Sequence, residues 1–209
     1  GAITLDLFAV LLAGATAMLP VYARDILMVG PDGLGQLRAA SAVGASVVAL
    51  MLTFRPLRHN VGAKMLWAVV VFGIATIGFG LSHEIGVHVF GDARIGFLNM
   101  SAGMAVALVM LIVLGASDML SVYVRSSLVQ LNTPDDMRGR VSSVSGLAIS
   151  ASNELGELQS GLAAAVLGPV GAVVFGGFGA IFVTAIWAGL FPELKNARTF
   201  EPQYRGKSP

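Results

Sequence analysis

Residues 95–131 read IGFLNMSAGMAVALVMLIVLGASDMLSVYVRSSLVQL, and the only charged side chains among them are Asp118 and Arg125. A bilayer core about 30 Å thick takes roughly 20 apolar helical residues. This run is longer than one span needs, so either a lead-in segment precedes the span or the helix projects past the bilayer. The apolar positions are continuous rather than alternating, which argues for a helix and against a barrel strand.

The rest of the chain has the same character. Of its 209 residues, 56% are hydrophobic and 12% charged, about half the charged share of a typical soluble domain. Mean hydropathy is +0.80. So few charges cannot cover a soluble fold of this size, and so much apolar surface excludes disorder. Thirteen basic and twelve acidic residues leave a net charge of +1, without the basic excess that nucleic-acid binding needs. The absence of cysteine excludes a disulfide scaffold, thiol chemistry and cysteine-ligated metals. The expected class is an all-α integral membrane protein. Its 26 glycines suit helices that approach one another closely.

Working outward, six spans are predicted. The first runs over 5–28, with Asp6 near its start and a kink at Pro20. Gly30, Pro31, Asp32 and Gly33 form a turn, and the second span covers 34–54. A short basic loop over 55–64 leads to the third span, 65–81. Residues 82–94 are the least apolar internal stretch, a surface loop with room for a short interfacial helix. The fourth span ends at Leu131, and a polar loop over 133–140 leads to the fifth, 141–167. Gly168 and Pro169 turn the chain into the sixth, 170–191. Residues 1–192 are therefore a six-span bundle and 193–209 a polar cytoplasmic tail. No basic segment precedes the first apolar run, so no signal peptide is expected, and a chain starting at Gly1 reads as part of a longer one.

Charge sets the orientation. Loops on the side of the termini carry Arg55, Arg58, Lys64, Arg138 and Arg140, and the tail adds Lys195, Arg198, Arg205 and Lys207. The opposite loops carry Arg24 and Arg94, nine against two. By the positive-inside rule both termini are cytoplasmic.

Three strings then carry a resemblance: LPVYARDIL (19–27), GASDMLSVYVRSSLVQLNTPDDMRGRVSSV (115–144) and ASNELGELQSG (151–161). With six spans and a basic loop after the second, the chain resembles the C-terminal half, helices seven to twelve, of a major facilitator superfamily transporter. The strings are similar to the bacterial efflux branch that includes the enterobactin exporter. The resemblance implies one half of a twelve-helix fold, completed by an N-terminal six-helix half. It implies proton-coupled efflux of a small molecule, such as a drug or siderophore, across a bacterial inner membrane by alternating access. In the superfamily's loop signature only Gly62 and Lys64 fit. Arg55 stands where the first Gly belongs, and His59 and Asn60 replace an Asp-Arg pair. An importer of the same fold, or a non-transporting six-span scaffold or assembly factor, are the competing readings.

Charges inside spans are costly and normally face a cavity or a partner. Asp118 and Arg125, seven apart, share a helix face. They read as a translocation path or coupling pair, or as a structural bridge with Arg125 reaching the cytoplasmic interface. The fifth span carries Asn153, Glu154 and Glu157. Ser142, Gly146, Ser150, Glu154, Glu157 and Gly161 form a polar, small-residue row that lipid cannot cover cheaply. These acids read as proton-exchanging carboxylates lining a cavity, with helix-end ties as the structural alternative. Arg38 pairs with Asp25 or Asp32, or binds an anionic substrate group. Arg24 and Asp25 read as an interfacial anchor with Tyr22. His59, His83 and His88 lie in loops at spacings that match no metal site, and the glycines make no phosphate loop. Neither an enzyme nor a cofactor is expected.

Overall fold

The computed structural model describes residues 15–57, 60–91, 94–95, 100–131 and 133–190. Asp6, Arg58, His59, Asp92 and the tail from Glu193 lie outside them, as do residues 5–14 of the first predicted span.

Pro20 shapes the first described segment. A proline has no N–H to donate and its ring disturbs the preceding turn. Here the helix changes type rather than bending smoothly. A 3₁₀ turn at Ala15–Met18 passes through one α turn, α1 (Leu19–Val21), into a π turn at Tyr22–Ile26. Left-handed Met28 (φ 51°) and Gly30 (φ 67°) redirect the chain into α2 (Gly30–Phe54), which has Pro31 in its first turn. Proline is well suited there, where no N–H partner exists anyway. The turn expected over Gly30–Gly33 is thus the start of a helix.

α3 (Val61–Gly80) follows left-handed Asn60. It begins before the expected Met65. Gly62 and Lys64, read as remnants of a loop motif, therefore sit in a helical turn, Gly62 buried and Lys64 exposed. The short helix anticipated after the third span is α4 (Ser82–Phe90). β1 (Arg94–Ile95) and β2 (Met100–Ser101) then pair antiparallel ahead of α5 (Ala102–Leu131). Both alternatives for residues 95–131 are met: a lead-in precedes α5, and α5, with 30 residues, is about 45 Å long, still longer than a bilayer core.

α6 spans Arg138–Leu190, 53 residues, about 80 Å at 1.5 Å per residue and more than twice a bilayer core. Gly168 (φ 74°, ψ 166°), followed by Pro169, breaks it into arms 138–167 and 169–190. The arms run in opposite directions. Ser142 and Ile149 face Arg125 and Gln130 near the end of α5. Val173 joins a core cluster with Met104 at the start of α5, and Val183 returns to Val61 and Val124. The predicted turn at Gly168–Pro169 is present. Among the described residues four helices, α2, α3, α5 and α6, are long and apolar enough to cross a membrane.

α5 is central. It packs on α2, α3 and α4, while α3 also packs on α6. One core cluster gathers Tyr22, Leu37, Phe79, Met104 and Leu111; the other gathers Val61, Met65, Val124 and Ala180. Tyr22 is fully buried. Its hydroxyl donates to the Gly80 carbonyl at 2.9 Å, and its ring lies 4.5 Å from that of Phe79. It is not part of a surface anchor, because a buried hydroxyl needs the internal acceptor that Gly80 supplies. Arg24 and Asp25 pair with each other outside, at 2.7 Å. Much of the outer surface is apolar, including Val47, Leu50 and Phe54 of α2 and Phe175, Phe178 and Phe182 of α6.

α2 and α5 cross at small residues. A Cβ on Gly44 would collide with the Ile112 carbonyl, and one on Gly115 with that of Ser41. Such approaches let membrane helices associate by close packing alone. Gly115→Leu is expected to destabilise the bundle by about 1–3 kcal/mol, read as a lower melting temperature in detergent. Gly189→Leu, where a Cβ meets nothing within 4 Å, should melt like the parent. Equal melting of the two variants would contradict this crossing.

Candidate functional site

The first arm of α6 touches the bundle along only one of three stripes. Gly156 and Ser160 are buried, with Ser145, Ile149, Ser152 and Gln159 half-buried beside them. A second stripe is exposed and apolar: Val144, Leu147, Leu155, Leu158 and Leu162. The third is exposed and polar or small: Ser142, Gly146, Ser150, Asn153, Glu154, Glu157 and Gly161. The helical period generates all three, since positions three and four apart fall on one face. Hydrocarbon can cover the apolar stripe but not the polar one, where an exposed carboxylate has no partner.

The structure therefore keeps Asn153, Glu154 and Glu157 together on one face. It does not give that face a cover. Neither acid forms an ion pair or hydrogen bond with another described residue, so the ties to helix ends considered above are not made. Among the described residues none desolvates these carboxylates.

Asp118 is half-buried on α5. Its neighbour Ser117 bonds back to its own helix, at 2.8 Å to the Val113 carbonyl and 2.9 Å to that of Leu114. Among the described residues Asp118 has no hydrogen-bond or ion-pair partner, so it is not bridged to Arg125. Arg125 is only 6% exposed and lies in the wall of a cleft between α5 and α6. The expected shared face exists, but the two charges serve different surroundings. Arg38 is exposed on α2 and pairs with neither Asp25 nor Asp32. The Arg24 guanidinium already occupies Asp25 through two hydrogen bonds, at 2.7 and 2.9 Å.

Sequence reasoning missed the cleft. It holds about 200 Å³, with Ser126, Gln130 and Ser145 joining Arg125 and Ser142 in its lining. Its faint signal is the placement of Ser126 and Gln130 one and five residues past Arg125. A second hollow, about 280 Å³, lies between α3 and the second arm of α6, where Leu66, Trp67 and Val70 face Ile181 and Ala185. Its lining is almost wholly apolar. Among the described residues no cluster of three or more His, Asp or Glu could hold a metal. His88 lies 3.9 Å from Glu84 on the exposed side of α4.

The chain matches no protein-family model, no curated protein and no solved structure.

Proposed function

We propose that this chain is the C-terminal six-helix half of a secondary active transporter of the major facilitator type. In this reading it sits in a bacterial inner membrane with both termini cytoplasmic. It moves a small molecule outward by alternating access, coupled to proton entry. A second six-helix bundle packs against the polar stripe of α6, and the substrate path runs between the halves. Asp118, Asn153, Glu154 and Glu157 line or flank that path.

One observation carries the reading. A membrane-length helix arm exposes a polar row, with two carboxylates, beside an apolar row. A scaffold that only spans the membrane has no use for the polar row, whereas a water-filled path between two bundles requires one. The chain's lack of cysteine makes the test direct. Single cysteines at Gly146 and Ser150 in native membranes are expected to react with a water-soluble maleimide. Single cysteines at Leu147 and Ala151, on the apolar side, are expected to stay unlabelled. Protection of all four positions would overturn the water-filled path.

A further inference from the structure

One residue too many separates Tyr22 from Leu27. Leu19, Tyr22 and Ala23 are buried, and on an unbroken α-helix the next residue to fall on their face is Ile26, four past Tyr22. The core takes Leu27 instead and leaves Ile26 half-buried. The π turn makes this possible. The Leu27 N–H donates to the Tyr22 carbonyl at 2.8 Å, five residues back rather than four. The closing bond is widened in the same way. A helix ending at a left-handed Met28 would let the Val29 N–H reach Arg24, five residues back; here it reaches Ala23, six back, at 2.8 Å. Single-turn π bulges are rare in helices and frequent at functional sites.

Two helix ends compete in this segment. The present one uses Met28 (φ 51°), and a left-handed backbone costs a residue with a side chain. Met28 is 80% exposed, so little packing offsets that cost. Two residues on, Gly30 is already left-handed (φ 67°) and is the residue type that ordinarily ends a helix. Tightening the π turn to α would carry the helix through Met28 to an end at Gly30. Ile26 would then swing onto the core face and Leu27 to its flank. The two side chains have equal volume, so the exchange is one that cores tolerate. Tyr22 is a fixed pivot upstream, held by Gly80 and Phe79. Downstream, Leu27 Cδ2 stands 3.4 Å from where a Cβ on Gly103 would lie, and a Cβ on Gly86 would collide with Gly103 in turn. Leu27 therefore sits at the crossing of α4 and α5.

We propose that residues 22–30 are a register switch, with a π form that seats Leu27 at the α4–α5 crossing and an α form that seats Ile26 on the core face in its stead. The switch needs only the described bundle and holds whether or not the chain transports anything.

The test uses single cysteines at Leu27 and Ile26 in the full chain in detergent, labelled with a water-soluble maleimide. Each is combined with Met28→Gly, which relieves the left-handed cost and favours the π form, or with Met28→Val, whose β-branched side chain raises that cost and favours the α form. Leu27→Cys should label roughly tenfold more slowly beside Met28→Gly and faster beside Met28→Val, the scale of the left-handed cost. Ile26→Cys should move the other way and slow beside Met28→Val. Local fraying would instead speed both positions. Equal or faster labelling of Ile26→Cys beside Met28→Val would overturn the switch, as would a Leu27→Cys rate that ignores residue 28. Melting temperature reports whether each variant folds. Should Leu27→Cys not fold, Ile26→Cys decides alone by the same outcome.

Discussion

On the proposed transport function, Asp118→Asn in the two-bundle assembly is expected to cut substrate efflux by roughly tenfold or more, the scale of a coupling free energy of about 1–3 kcal/mol, at unchanged membrane abundance. The substitution keeps the shape of the side chain and removes only its charge and its capacity to release a proton. The fold gives Asp118 no internal use: it is half-buried in α5 and tied to no described residue. A carboxylate within a span is expensive, so one without a structural partner points to a role in the path. The comparison is Ser117→Ala, one residue away. That hydroxyl bonds only within α5, to the Val113 and Leu114 carbonyls, and its loss should leave efflux near the parent rate. Parental efflux from Asp118→Asn in vesicles would return Asp118 to a packing role.

Glu154→Gln is expected to leave substrate binding measurable while severing efflux from the proton gradient. A gradient of one pH unit is worth about 1.4 kcal/mol, roughly tenfold accumulation per coupled proton. The variant should lose that dependence when efflux is followed against an imposed pH step. Glu154 continues the exposed row of Ser142, Gly146 and Ser150, which places it on the surface expected to meet the second bundle. Glu157, one turn on, should show a milder loss as Gln. Uphill efflux with an unchanged pH profile in Glu154→Gln would make these acids structural and move coupling to the other half.

How much of this was legible beforehand varied with the kind of signal. Long apolar runs located α2, α5 and both arms of α6, because span length is set by bilayer thickness rather than by packing. The reversal at Gly168–Pro169 was equally plain, since those two residues punctuate any helix. The starts of α2 and α3 were not. They depend on Pro31 serving in a first turn and on Asn60 adopting a left-handed backbone, and both residues read as loop by type. Inward and outward faces were also hidden: Leu37 and Val47 of α2 are equally apolar, yet one is buried in the core and the other exposed. The stripe bearing Glu154 was visible because polar residues stand out against an apolar background. The cleft at Arg125 was not, because Ser126, Gln130, Ser142 and Ser145 acquire meaning only when two helix ends come together.

The Gly168–Pro169 reversal also bears on how the chain is made. The two arms of α6 are joined with no loop between them, so they form a hairpin ready to enter the bilayer as a unit. The arm 138–167 carries Glu154 and Glu157, and a charge near the centre of a helix costs roughly 2.5–3.5 kcal/mol during insertion. The arm 169–190 contains no charged residue. Its apolar side chains, among them Phe175, Phe178 and Phe182, partition readily and can draw the acidic arm in with them. A tight reversal thus lets a segment that is poorly suited to lipid on its own reach the depth where its carboxylates are useful.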